Sequence, residues 1–147
     1  MVSLFNGPAQ EVEAALAAGG ADGRVAVLGN VRLARQLAAG GRDVVCVGPA
    51  ARALRRARLA TVAALPGALP LAGGSIGALV AAGLQGDSWE PLLAEWCRAL
   101  APGGLVVVVD RGAPAELSRR ALCGGLSAIE QRAAGRSVIT AGRWQPL

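Results

Sequence analysis

The chain has 147 residues, of which 53% are apolar and 17% are charged. This balance excludes an intrinsically disordered chain and suffices for one domain with its own core, so we expect a single domain over residues 1–147. The sequence contains no histidine, which removes the commonest metal ligand and the usual acid–base side chain near neutral pH. The net charge of +5 is modest, and we interpret it as a solvated, arginine-rich surface.

The cysteines and one long uncharged segment bear on the cellular compartment. Cys46, Cys97 and Cys123 are odd in number and fit neither a zinc pattern nor a disulfide framework, which predicts reduced, mostly buried thiols in a cytoplasmic protein. Residues 59–86 carry no charge, and the segment is long enough to span a bilayer. Its prolines and a Gly-Gly pair divide it into short pieces that are better interpreted as buried strands, so no membrane partner is expected.

The first half of the chain alternates helices with short apolar runs. The pattern predicts a helix over 8–18, a strand over 24–29, a helix over 31–39, a strand over 43–48 and a helix over 49–59. Strand, helix and strand in this order form a right-handed βαβ unit and predict a parallel sheet. Arginines at 52, 55 and 56 share one face of the last helix. Without interleaved aromatic residues or a binding motif, they do not predict a nucleic-acid partner.

The second half continues the alternation and ends differently. We predict a weak strand over 60–64, a buried strand over 78–82 and an amphipathic helix over 88–100 that Ser88 caps. A turn at Pro102-Gly103-Gly104, a strand over 105–109 and a helix over 114–123 follow. Strands over 125–132 and 136–140 close the chain as a pair.

Two motifs in this half carry a family resemblance. Residues 68–80 read A-L-P-L-A-G-G-S-I-G-A-L-V, and residues 93–110 read L-A-E-W-C-R-A-L-A-P-G-G-L-V-V-V-V-D. In tandem they resemble the L-P-F-x-x-G-S-F-D-x-V and E-x-x-R-x-L-x-P-G-G segments of class I S-adenosylmethionine (SAM)-dependent methyltransferases. The resemblance implies a Rossmann-like α/β three-layer sandwich. Its mostly parallel seven-stranded sheet would have the order 3-2-1-4-5-7-6, with strand 7 antiparallel.

The resemblance also indicates where the cofactor would bind. In the family a D/E-x-G-x-G-x-G loop follows the first strand, whereas this chain has Val27 at the acidic position and Gly29 and Asn30 in a shorter loop. The second strand of the family ends in an acid that binds the ribose of SAM, and here that position is Gly48. With Leu69 of the L-P motif, these are the cofactor-binding positions that the resemblance implies. The acid after strand 3 has no counterpart near residues 65–67, and the Asp at the start of strand 4 is Gly77.

Four missing acids and a shortened loop predict that SAM binding and catalysis have been lost. No catalytic residue, metal site or cofactor is then expected, and the domain would act as an interaction or regulatory subunit with a protein partner or as a homodimer. A mean hydropathy of +0.44 and the tryptophans at 89, 96 and 144 favour an interface, although Trp96 also fits a core position.

Other interpretations remain open from the sequence. One is a small divergent SAM-dependent methyltransferase that acts on an unknown substrate, and another is a pocket adapted to a different small ligand. Asp110, at the end of a strand, either contacts a ligand or caps the following turn.

Overall fold

The computed structural model describes residues 7–48, 60–62, 68–83 and 89–146. Its helices are α1 (Pro8–Ala18), α2 (Val31–Ala39), α3 (Leu93–Ala99, preceded by a 3-10 turn at Glu90–Leu92) and α4 (Pro114–Cys123). Its strands are β1 (Val25–Leu28), β2 (Val44–Val47), β3 (Ala60–Val62), β4 (Ile76–Ala82), β5 (Leu100–Asp110), β6 (Ser127–Ala134) and β7 (Ser137–Arg143). The helix predicted over 49–59 lies outside the described residues. No helix in the described ranges is long and apolar enough to cross a membrane.

The seven strands form one sheet in the order β3-β2-β1-β4-β5-β7-β6. Strands β1 to β5 run parallel to one another, and β7 is antiparallel to both β5 and β6. The predicted fold class and strand order are therefore confirmed. Every residue of β1 and β2 is buried, as continuous apolar runs in a parallel sheet covered on both faces should be.

Helices cover the two faces of the sheet and create two apolar layers. Because side chains alternate along a strand, Val27 and Leu28 belong to different layers. Helices α1 and α2 pack on one face through Leu16 and Leu37. Helices α3 and α4 pack on the other, where Trp96 is fully buried as its core position predicts.

The turn predicted at Pro102-Gly103-Gly104 is wrong, because these residues lie within β5. Ile76 pairs with Leu100, but Ala78 pairs with Leu105, so the intervening residues of β5 bulge out of register. Two backbone hydrogen bonds with Trp144 provide partners for Gly103 and Gly104 in this bulge. The Gly103 N–H donates to the Trp144 carbonyl at 2.9 Å, and the Trp144 N–H donates to the Gly104 carbonyl at 2.9 Å. Trp144 is consequently half-buried against the core, although no sequence pattern predicts its burial within this chain.

Smaller differences concern the ends of elements. The helix predicted over 88–100 begins as a 3-10 turn and ends at Ala99, because Leu100 already belongs to β5; the predicted cap, Ser88, lies outside the described residues. The closing hairpin turns at Gly135-Arg136, since Ala134 pairs with Ser137. Strand β6 therefore ends at Ala134, two residues later than predicted.

Candidate cofactor site

The carboxyl ends of the parallel strands meet at one edge of the sheet, which is where open α/β folds bind their ligands. Gly29 follows β1, Gly48 follows β2 and Gly83 follows β4, while Asp110 ends β5. Three of the four predicted cofactor positions, Gly29, Asn30 and Gly48, therefore lie at this edge. No residue that directly follows β1, β2 or β4 in the described ranges carries a carboxylate.

Gly29 is required by the backbone at this point. Its φ of +79° lies in the left-handed region that side chains disfavour, and a Cβ there would overlap the Ala82 carbonyl oxygen at the end of β4. Its N–H donates to the Val47 carbonyl at 3.2 Å, which ties the start of the loop to β2. Packing between three neighbouring strands thus explains this glycine without any ligand.

Asn30 is the N-cap of α2. Its Oδ1 accepts a hydrogen bond from the Leu33 N–H at 2.9 Å, and its backbone carbonyl accepts one from the Ala34 N–H at 3.1 Å. This capping satisfies amide groups that the first turn of a helix leaves without partners. The side-chain oxygen is therefore already engaged in starting α2.

Gly48 is the position where the family resemblance implies a ribose-binding acid. The residue is buried, yet no described atom lies within 4 Å of a Cβ placed on it, and its φ is outside the left-handed range. A side chain would therefore fit the described surroundings. The residue itself offers a ligand only backbone groups.

Leu69 lies in a different part of the structure, where the two motifs meet. Its side chain is 5% exposed and packs in the core. Its N–H donates to Glu95 Oε2 at 2.9 Å, and its carbonyl accepts from Arg98 Nη2 at 3.0 Å. Arg98 Nη1 also donates to the Leu71 carbonyl at 3.0 Å. The L-P segment and the E-x-x-R helix are thus joined by direct hydrogen bonds.

Glu95 and Arg98 form an ion pair at this junction, and each shifts the pKa of the other. The hydrogen bond from Arg98 lowers the pKa of Glu95, with the Leu69 N–H as the second cause, and the same pair raises the pKa of Arg98. Both side chains are therefore charged near neutral pH, which strengthens their hydrogen bonds to the L-P segment.

Asp110 is engaged within the chain. Its Oδ2 accepts a hydrogen bond from the indole N–H of Trp89 at 3.1 Å, and its Oδ1 accepts from the Arg111 N–H at 2.8 Å. Trp89 has no exposed surface. The interface role suggested for Trp89 is therefore wrong. Its indole packs in the core beside the end of β5, where Asp110 accepts the hydrogen bond from its N–H.

Gly77 belongs to the opposite edge of the sheet. It precedes the residues of β4 that pair with β1, and its N–H donates to the Arg24 carbonyl at 2.8 Å, ahead of β1. A Cβ at this position would overlap the Asp22 carbonyl oxygen. The missing acid at 77 consequently reflects close backbone packing at the amino edge and does not bear on the cofactor edge.

The thiols offer no cluster in the described part of the chain. Cys46 and Cys97 are buried, as predicted, and burial raises the pKa of Cys97 to about 11, whereas Cys123 is exposed. In the ranges that the structure covers, no group of three or more Cys, Asp or Glu residues is placed to hold a metal ion.

The side chains described at the cofactor edge do not match the SAM-binding pattern that the family resemblance implies. That pattern needs a carboxylate at the end of β2, and Gly48 supplies none. Asn30 and Asp110, two described side chains there with acceptor oxygens, already accept hydrogen bonds from this chain. What the described edge offers is a narrow turn at Gly29 and, beside Gly48, room for a side chain among the described atoms.

Comparison by sequence identifies no relative: no protein-family model matches the chain, and no curated protein matches it. Comparison by structure identifies many. A SAM-dependent methyltransferase from Thermotoga maritima superimposes with a TM-score of 0.69 at 18% identity, covering 88% of each chain. The Burkholderia thailandensis 1,6-didemethyltoxoflavin-N1-methyltransferase, solved with bound 1,6-didemethyltoxoflavin and S-adenosylhomocysteine, superimposes with a TM-score of 0.77 at 15% identity, over 99% of this chain and 80% of that one.

A third neighbour comes from a complex. It belongs to the assembly of the Haloferax volcanii Trm112 methyltransferase activator with a methyltransferase, and it superimposes with a TM-score of 0.74 at 15% identity, over 92% of this chain and 89% of that one. At these identities the similarity establishes the fold alone. The chain has the class I SAM-dependent methyltransferase fold.

Proposed function

We propose that this chain, with the fold of a class I SAM-dependent methyltransferase, has lost SAM binding and acts as a one-domain interaction or regulatory subunit. The observation that carries the proposal is Gly48. At the end of β2 it leaves the ribose-binding position without a carboxylate, and no neighbouring side chain in the described ranges fills the space. A hydrogen bond to a charged group contributes about 1.5–3 kcal/mol, so its loss weakens binding by roughly ten- to a hundredfold.

The other side chains of the edge support the same proposal. Asn30 uses its oxygen to cap α2, and Asp110 holds the Trp89 indole. Redirecting either one to a ligand would leave an N–H of this chain without its partner, which costs about 1–3 kcal/mol when the group is buried. In the described part of the edge, these two side chains therefore serve the chain's own backbone and core.

A partner role has support from the fold. One structural neighbour comes from an assembly with a methyltransferase activator, so this architecture can present a surface to another protein. For this chain the partner is a proposal, and it does not depend on a catalytic centre.

A second candidate is a divergent SAM-dependent methyltransferase. The observation that favours it is the fold itself, since a neighbour superimposing over 99% of this chain was solved with S-adenosylhomocysteine. In that case the cofactor would bind through backbone groups near Gly29 and Gly48, and SAM would supply the methyl group.

Isothermal titration calorimetry with SAM and with S-adenosylhomocysteine distinguishes the two candidates. The proposal expects no saturable heat from the wild-type protein at ligand concentrations up to about 1 mM, which corresponds to a binding free energy weaker than about −4 kcal/mol. Dissociation constants in the micromolar range would overturn it and favour the methyltransferase.

Two variants at one position sharpen the titration. Gly48→Asp introduces the missing carboxylate, and Gly48→Ala is the matched control, because it adds a Cβ without an acceptor. Tighter binding by Gly48→Asp than by both Gly48→Ala and wild type would attribute the loss to this position. Equal micromolar binding by all three proteins would show that the carboxylate is dispensable here and contradict the proposal.

A further inference from the structure

Strand β6 is an edge of the sheet, and its outer side has no neighbour in the described chain. The hairpin register shows which of its backbone groups are free. Ala134 and Ser137 flank a two-residue turn and form a hydrogen-bonded pair, so alternate residues back along β6 bond to β7. The N–H and C=O groups of Gln131 and Ala133 therefore point away from β7, toward the open edge.

The side chains beside those free groups carry opposite charges. Glu130 and Arg132 flank Gln131 and share one face of the sheet, since side chains alternate along a strand. Arg132 Nη1 lies 3.9 Å from Glu11 Oε2 of α1, which identifies that face as the α1 side. Gln131 lies on the other face, where its Nε2 donates to the Pro114 carbonyl at 2.8 Å.

An antiparallel pairing of β6 with β6 of a second copy provides partners for the free backbone groups and for the opposite charges. With the two-fold axis at Gln131, the free N–H and C=O of one Gln131 meet those of the other. The same register places Glu130 directly opposite Arg132 of the second copy, and Arg132 opposite the second Glu130. Opposite charges in directly opposed positions favour strand pairing, and like charges oppose it. A two-fold axis uses each contact twice.

We propose that a second copy of this chain binds at β6 through this register, forming a dimer with one continuous sheet. The inference deepens the proposed interaction role by naming its partner, and it holds whether or not the protein binds SAM. Ala128, with a φ of +52°, marks a bulge between Ser127 and Glu130 that limits the regular ladder to the residues after it. A strand pair this short is smaller than a standard interface, so we expect a dissociation constant of roughly 10–1,000 μM.

Sedimentation velocity over a concentration series tests the dimer with charge reversals. Glu130→Arg alone and Arg132→Glu alone each place like charges opposite one another, and each should weaken dimerisation by about tenfold or more. The double variant restores opposite charges with their positions exchanged, and it should dimerise nearly as well as wild type.

Matched controls separate this register from other causes. Arg136→Glu makes the same charge change in the exposed hairpin turn, outside the proposed ladder, and should leave dimerisation unchanged. Because Arg132→Glu also loses its pair with Glu11, a thermal melt of each variant checks that the fold persists. A wild-type protein that stays monomeric to about 1 mM would overturn the proposal. So would a double variant that associates no better than the single ones. The SAM titration is a separate readout, so failure of the dimer leaves the proposal on the cofactor edge standing.

Discussion

Exchanging glycine for alanine at positions 29 and 48 separates a backbone requirement from a ligand requirement. Both glycines end neighbouring parallel strands, and both occupy positions that the family resemblance associates with the cofactor. Gly29 has a φ of +79° and its Cβ would overlap the Ala82 carbonyl oxygen, whereas Gly48 has neither a left-handed φ nor such an overlap with any described residue. The same one-carbon change should therefore affect folding very differently at the two sites.

The magnitude follows from two contributions. A side chain in the left-handed region costs about 1–2 kcal/mol, and overlap with a packed backbone adds about 1–3 kcal/mol. Gly29→Ala should therefore lose roughly 2–5 kcal/mol of the 5–15 kcal/mol that typically separates folded from unfolded protein. Gly48→Ala should change stability by less than about 1 kcal/mol, toward greater stability, because it reduces the freedom of the unfolded chain.

Thermal melts followed by circular dichroism measure both variants. For a chain of this size about 1 kcal/mol corresponds to 2–4 °C, so Gly29→Ala should melt roughly 5–15 °C below wild type, with Gly48→Ala within a few degrees of it. Urea melts with an unchanged m-value would establish that the difference is one of stability. If Gly29→Ala melted together with Gly48→Ala, the reasoning would be refuted, and the glycine at 29 would need a ligand to explain it.

Three further predictions address the core, the thiols and the surface charges. Trp89→Phe removes the buried indole N–H from Asp110 and leaves a cavity, so a urea melt should show a loss of about 2–4 kcal/mol; a change below 1 kcal/mol would contradict the bond's role. With a thiol reagent at pH 8, Cys123 should react quickly while Cys97, whose pKa burial raises to about 11, stays protected; persistence of the fast phase in Cys123→Ser would refute this. The hydrogen bond from Arg119, with a smaller contribution from Arg120, lowers the pKa of Glu116 to about 2. The ionised Glu116 therefore stabilises the fold above pH 4.5, and this contribution is lost as the pH falls toward 2. Glu116→Gln should reduce the change of melting temperature with pH in that window, and parallel pH profiles for the variant and wild type would argue against this.

The sheet was predictable because its strands are apolar on both sides. Runs such as residues 25–28 and 105–108 are fully buried, as is typical of a parallel sheet covered on both faces, and short connections with a helix between them leave few possible strand orders. The L-P and E-x-x-R-x-L-x-P-G-G motifs carried the family resemblance, and that resemblance implied the position of the last two strands. Their direct contact through Glu95, Arg98 and Leu69 explains why the segments occur in tandem.

The differences arose where distant residues decide the local structure. Pro102-Gly103-Gly104 has the composition of a turn, but the tail supplies hydrogen bonds from about 40 residues away and holds it in a strand. Tryptophan is a residue type typical of interfaces, yet Trp89 is buried because Asp110, at the end of β5, accepts a hydrogen bond from its indole N–H. Gly77 is also explained by a distant segment, since the carbonyl group of Asp22, in a different loop, leaves no room for a side chain at position 77. No local pattern encodes these contacts.

The position of β7 has a consequence for synthesis of the protein on the ribosome. β7 is the last of the described strands in the chain, yet it lies inside the sheet between β5 and β6. Until residues 137–143 have emerged and paired, the four valines 106–109 of β5 form an open, uncharged sheet edge, which is an aggregation-prone segment. Changes that slow formation of the β6–β7 hairpin should therefore lower the yield of soluble protein in the cell more than they lower the stability of molecules that have finished folding.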